Sequence, residues 1–211
     1  MPITFREYQF LSVRTSGAKD HKFTPTAFLE MPVPQGPVVV RLNTAVLGLV
    51  GEVGEFADLL KKVVGHGHQP DLAKFEKEGG DVYWYLAELS DAFGIPMEND
   101  DVDKAQAQSA ASFLGGPLAP GESPFEAAIP YVLSAAYNAG QVAALYNALM
   151  EPAAAQWTML PILLANVCTH VAVALHLIGL PLSQVLEGNV RKLKERYPTG
   201  FDSERSINRT D

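Results

Sequence analysis

Glu52 and Glu55 stand three residues apart in LGLVGEVGEFADLL, a run otherwise built mainly from apolar and small residues. Glu78 and Asp81 repeat that spacing and directly precede VYWYLA. A spacing of three puts two side chains on one face of a helix. If the two segments are antiparallel neighbours, four carboxylates converge. Like charges at low dielectric repel strongly, so such a group must be protonated, solvated or neutralised by cations. All-oxygen ligation suits Mg²⁺, with Mn²⁺ as the alternative, rather than Zn²⁺. Mg²⁺ keeps waters and bridges to substrate phosphates, which suits metal-assisted attack of water on a phosphoanhydride. One carboxylate can orient or deprotonate that water. A single E-x-x-E is common on solvated helix faces, but acids embedded in core-facing runs are harder to assign to solvent. Gly48, Gly51 and Gly54 add to this. Each glycine costs a helix roughly 1 kcal/mol, so three together point to close approach of backbone or ligand.

Other residues near these motifs have two readings each. Lys61 and Lys62 close the second helix, where cations suit the helix C-terminus; the alternative for Lys62 is contact with phosphate. Trp84 and Tyr85 follow Asp81 and suit core packing, although Trp84 could instead stack on a nucleobase. Asp58 lies one turn beyond Glu55 and either supports the acidic group or is exposed. His66 and His68 lack further soft ligands and read as a solvated loop. His170 and His176 read as hydrogen-bonded core residues, and Cys168 as packing. Asp91, Asp100, Asp101 and Asp103 read as solvated surface.

The elements that must position these groups are helices. Thr4 and Glu7 form a capping box for a first helix ending near Gly17. A polar, Pro-rich stretch runs to Pro37. The second helix is predicted from Asn43, as N-cap, to His66, with Gly67 as stop. Pro70 fits the first turn of a third helix ending near Gly94. Residues 114–122 are a linker rich in Gly and Pro. Ser123 and Glu126 then repeat the capping-box pattern with Pro124 at the first helical position. Two or three further helices reach about Tyr197, and the tail from Thr199 is expected to be loosely ordered. Period-two alternation is scarce, so the fold class is an all-α helical bundle.

Composition bounds the partners. The 211 residues are 47% apolar, enough for a sizeable core. Asp and Glu number 24 against 16 Lys and Arg, which disfavours a nucleic-acid polymer as partner. The single cysteine excludes an intrachain disulfide and fits a cytoplasmic setting. MPITFREYQF lacks a signal pattern. The apolar stretch from Trp157 to Leu182 is broken by Pro161, Asn166, His170 and His176, so it reads as a buried helix rather than a membrane span.

Three segments together carry a family resemblance: LGLVGEVGEFADLLKK, KEGGDVYWYLAELSDAFGI and NVRKLKERYPTGF. They resemble the MazG-like nucleotide pyrophosphohydrolases of the all-α NTP pyrophosphatase superfamily, to which the dimeric dUTPases also belong. The family motif is E-x-x-E, a spacer, then E-x-x-D, here Glu52, Glu55, 22 intervening residues, Glu78 and Asp81. FREYQFLSVRTSG is similar to the first helix of such proteins. The resemblance covers about half the chain. It implies Mg²⁺-dependent hydrolysis of a nucleoside triphosphate, a deoxynucleotide being the expected substrate, to the monophosphate and pyrophosphate, in nucleotide-pool control. It also implies assembly as a monomer or homodimer, with Glu52, Glu55, Glu78 and Asp81 as metal ligands.

In single-domain relatives the N-x-x-K-L-x-x-R-Y-P segment follows soon after the G-I turn. Here a long insertion separates Gly94-Ile95 from Asn189. The insertion reads as completing a degenerate second copy. Gly94-Ile95-Pro96 reappears as Gly179-Leu180-Pro181, an offset of 85. At that offset Asp81 falls on Asn166 and Glu78 on Leu163. At an offset of 86, Glu52 and Glu55 fall on Asn138 and Gln141. Lys192 and Arg196 map back to Ala107 and Ala111. The first copy has the acids and the second has the bases. The expectation is an intrachain pseudo-dimer: a half over residues 1–113 holding metal, the linker, and a half over 123–198. The second half lends Asn189, Lys192 and Arg196 to the nucleotide, ahead of the tail 199–211. The competing readings are a nucleotide-binding or regulatory module without turnover, and a purely structural bundle.

Overall fold

The computed structural model describes residues 2–23, 36–98, 101–149 and 157–208. Among these residues every regular element is helical: α1 (Phe5–Val13), α2 (Pro37–His66), α3 (Leu72–Ala92), α4 (Val102–Leu114), α5 (Pro124–Leu149), α6 (Leu160–Leu177), α7 (Leu182–Arg196) and α8 (Ser203–Ile207), with one 3₁₀ turn, Trp157–Met159, before α6.

The longest helix, α2, spans about 45 Å at 1.5 Å per residue. It turns back through a left-handed Gly67 (φ 69°) into α3. The antiparallel register is set by packing. Phe56 meets Phe75 edge-on at 5.4 Å. Further along, Gly48 lies under Tyr85, whose ring would sit 2.1 Å from any added Cβ. Glu52 lies between these contacts, opposite the stretch of α3 that carries Glu78 and Asp81. α5 and α6 form a second hairpin-like pair, and α5 also packs along α2. α7 returns to lie against α3 and α1. One apolar core runs through the bundle, from Tyr8, Leu42 and Leu49 to Val167, Leu175 and Leu186.

Polar side chains fix the joints. Gln106 of α4 donates to the Ala172 and Leu180 carbonyls (3.1 and 3.0 Å) and accepts from the Leu182 N–H (3.0 Å). Arg41 is buried in α2 and donates to both oxygens of buried Glu88 (2.8 and 3.1 Å) and to Asp91 (2.9 Å). Ser16 donates to Glu88 as well, at 2.6 Å.

Several expectations change. α2 starts at Pro37, not at Asn43, because Val38, packed against the core, and buried Arg41 and Leu42 continue the core-facing pattern N-terminally. Asn43 is helical, and its Oδ1 accepts from the Tyr146 hydroxyl at 2.7 Å. Asp71, not Pro70, opens α3 by accepting from the Lys74 N–H. Asp91 is not free surface but half of the Arg41 network, and it also pairs with Lys22 at 2.9 Å. Asp101 caps α4. Asp103 caps α7 from another helix, accepting from the Ser183 N–H (2.8 Å) and hydroxyl (2.6 Å). His176 is exposed, while half-buried His170 sets Nδ1 2.6 Å from the Asn166 carbonyl. The tail contains α8, and the Phe201 ring packs tilted against Tyr197 at 5.5 Å. Asp100 and most of the polar stretch before Pro37 lie outside the described residues. α2 and α6 are long and apolar enough to cross a membrane by length and composition alone; Val171–Leu175 of α6 is wholly buried in the bundle.

Candidate metal centre

Helix α2 delivers Glu52 half-buried and Glu55 exposed, three residues apart. Helix α3 delivers Glu78, only 8% exposed. One carboxylate oxygen from each of the three lies within 4.8 Å of the others. Glu78 Oε1 accepts from the Lys77 ammonium at 3.0 Å. Its other oxygen, Oε2, is buried and has no hydrogen-bond partner among the described residues. A buried carboxylate oxygen without a donor costs roughly 1–3 kcal/mol or more. A cation among the three carboxylates would remove that cost, and the donor set is all oxygen, as Mg²⁺ or Mn²⁺ requires.

Asp81 lies one turn further on and faces α7. Asn189 Nδ2 donates to Asp81 Oδ1 at 2.9 Å, and the Lys192 ammonium forms a short ion pair with the same oxygen. The helices come this close because Gly80 has no side chain. A Cβ there would lie 2.8 Å from the Asn189 Cβ. The Tyr8 hydroxyl, wholly buried, sits 3.0 Å from Asn189 Oδ1 and 3.2 Å from the Gly80 carbonyl. It therefore orients the amide so that Nδ2 points at Asp81.

The field at the site is negative. Burial, then Asp81, Glu55 and Glu78, push the Glu52 carboxyl up to about 7, against the opposing pull of Lys192. Burial and Asp81 likewise hold the Tyr8 phenol well above its ordinary value. For Lys77, burial works downward. The hydrogen bond to Glu78 and the fields of Glu78, Asp81 and Glu52 outweigh it and raise the ammonium.

The structure thus brings Glu52, Glu55 and Glu78 into one cluster, with Asp81, Asn189 and Lys192 beside it. Arg196 lies on the same face of α7, one turn beyond Lys192, half-buried. Lys62 is turned elsewhere, with its ammonium 2.7 Å from Asp58. Lys61 joins it there, and these two hydrogen bonds hold Asp58 down to about 2. Trp84 is anchored to α1, its indole N–H donating to the Thr15 hydroxyl (2.9 Å) and the Ser12 carbonyl (3.2 Å). Of the three glycines singled out on α2, Gly48 is explained by Tyr85, while Gly51 and Gly54 face open space beside Glu55. Sequence reasoning missed Lys77 and Tyr8. No helical spacing signals Lys77, since adjacent residues point about 100° apart and only the long stem lets the ammonium reach Glu78. Tyr8 reaches the site from 72 residues away in sequence.

This arrangement defines the molecule as an all-α protein with an acidic cluster on one helix hairpin and cationic and amide groups brought to it by a distant helix. Compared with known proteins, the chain matches no protein-family model, no curated protein and no solved structure.

Proposed function

We propose that this protein is a Mg²⁺-dependent nucleoside triphosphate pyrophosphohydrolase of the MazG-like type. The observation that carries the reading is the unpartnered, buried Glu78 Oε2 inside a cluster with Glu52 and Glu55. That is a site with unsatisfied negative charge and oxygen donors only. Glu52, Glu55 and Glu78 would hold the cation, with Asp81 alongside. A bound Mg²⁺ supplies charge neutralisation and orientation of the triphosphate. The chain's own groups do the rest. A cluster carboxylate orients a water and accepts its proton. The water oxygen bonds to the α-phosphorus, the bond from that phosphorus to the α–β bridging oxygen breaks, and pyrophosphate leaves with the electron pair. Lys192 and Asn189, presented from α7 on Asp81, would meet phosphate charge, with Arg196 one turn further on. Catalysis then rests on positioning and electrostatics rather than a covalent intermediate.

The reading includes an intrachain tandem. Asn138 and Asn166, which take the places of Glu52 and Asp81 under the sequence offsets, are directly hydrogen-bonded at 3.1 Å. Tyr83 and Cys168, related by the offset of 85, face each other, the phenol donating to the Cys168 carbonyl at 2.8 Å. Equivalent positions meet in this way near a two-fold axis. The α2–α3 and α5–α6 pairs would then be the two copies, the first with acids and the second with amides.

The test is pyrophosphate release from a panel of ribo- and deoxynucleoside triphosphates with Mg²⁺, wild type against Glu55→Gln. Release in wild type that is lost in the variant supports the enzyme. Tight, metal-dependent nucleotide binding without release in wild type would replace it with a binding module.

A further inference from the structure

A cavity of about 230 Å³ lies apart from the acidic cluster: none of Glu52, Glu55, Glu78, Asp81, Asn189 or Lys192 lines it. Its walls come from α1, α3, α4, α6 and α7. From α3 come Leu86 and Ser90, five and nine positions beyond Asp81. At 1.5 Å per residue those are roughly 8 and 14 Å along the helix axis.

The wall chemistry is selective. Phe5, Leu86, Ile95, Met97, Leu164 and Leu182 supply an apolar lining. Among the described residues no lysine, arginine or histidine lines the cavity, and the one carboxylate, Glu98, is exposed. A phosphorylated or anionic ligand therefore finds no counter-charge. Gln106 also faces the cavity, but its amide is fully committed to α6 and α7, so it is rigid wall rather than a free group. Three hydroxyls remain: Ser90, Ser109 and Thr169. None forms a side-chain hydrogen bond to another described residue, and Ser90 is only 4% exposed. These hydroxyls open into the cavity, where water or the polar edge of a guest can pair them. An alkyl chain would leave all three unpaired. A sugar would bury its own hydroxyls against aliphatic walls. A flat ring with apolar faces and a hydrogen-bonding edge satisfies both surfaces, as ligand pockets of this kind do.

We propose that this cavity binds a neutral heteroaromatic ring, a free nucleobase or close analogue, at a site separate from the acidic cluster. The inference does not depend on the pyrophosphohydrolase reading. Its experiment is run on the full chain in EDTA, so that metal chemistry plays no part. Adenine, cytosine and uracil are titrated into isotopically labelled protein, following the backbone amide resonances of residues lining the cavity. At least one base shifts those resonances saturably, with the same affinity in Glu78→Gln. Ser90→Ala, which removes one oxygen and leaves the fold intact, weakens binding by about 3–10-fold, as loss of one hydrogen bond requires. Ala165→Trp, a filling substitution at the exposed rim, weakens it by at least about tenfold. Adenosine 5′-monophosphate gains nothing over adenine. The proposal is overturned if no base moves the lining resonances at millimolar concentration, or if Ala165→Trp leaves the affinity unchanged.

Discussion

Replacing Glu52 by Gln tests the electrostatics of the acidic cluster without any assumption about substrate. Glu52 stands at the centre of the negative field, and its carboxyl is held near 7 by burial first and then by Asp81, Glu55 and Glu78. The ordinary value is 4.5. A raised value in the fold means that the folded state binds this proton more tightly than the unfolded chain does. The associated stability is complete below pH 4.5 and is lost as pH rises through 7. Because the group is half-buried, solvent screening discounts the full shift, leaving on the order of 1–2 kcal/mol. Gln mimics the protonated form and carries no such pH dependence. Denaturant unfolding in EDTA at pH 5 and pH 8 therefore gives a double difference: relative to wild type, Glu52→Gln gains about 1–2 kcal/mol between the two pH values. For a chain of this size that is roughly 2–8 °C in Tm. Adding Mg²⁺ at pH 8 should restore wild type, by about 2.7 kcal/mol at a hundredfold excess over Kd, and should leave the variant nearly unmoved. A wild-type-to-variant difference that stays constant from pH 5 to 8 would refute the account of the cluster, as would equal Mg²⁺ stabilisation of both proteins.

Further perturbations follow from the same geometry. Arg41→Met strands Glu88 in the core and should cost about 3–5 kcal/mol; urea unfolding checks it, and a loss under 1 kcal/mol would show that the buried pair is not structural. Gly80→Ala drives a methyl against Asn189 and should cost about 1–3 kcal/mol, whereas Gly51→Ala, with open space around it, should gain roughly 1 kcal/mol from helix propensity; reversed signs would contradict the α3–α7 approach described above. Lys192→Met removes the cation that opposes the Glu52 shift, so the pH at which Glu52 titrates, read by carboxyl carbon NMR, should move upward; no movement would separate α7 from the site.

Much of the local architecture was legible in the sequence, for local reasons. The Thr4–Glu7 capping box forms as its spacing requires, with both halves present. The Gly67 stop and the pairing of Glu52 with Glu55 on one helix are equally short-range, because helical geometry relates residues three or four apart. The start of α2 was misplaced by six residues, since Asn43 is a good cap by type and the core demand of Arg41 and Leu42 is not visible in a cap rule.

What the tertiary structure alone decided are the encounters between residues far apart in the chain. Asp103 reads as a surface acid until Ser183, 80 residues later, offers it an N–H and a hydroxyl. Trp84 suits core packing by sequence, with base stacking as the alternative, and the tertiary structure alone brings its indole N–H to donate to the Thr15 hydroxyl. Asp81 matches Glu78 in spacing, yet it is spent on Asn189 and Lys192, more than 100 residues away, while Glu78 keeps an oxygen without a donor. The sequence dictates which acids share a helix face, because backbone periodicity is local. Which of them is already paired depends on how closely two helices approach at Gly80, and that distance is set by packing across the whole bundle.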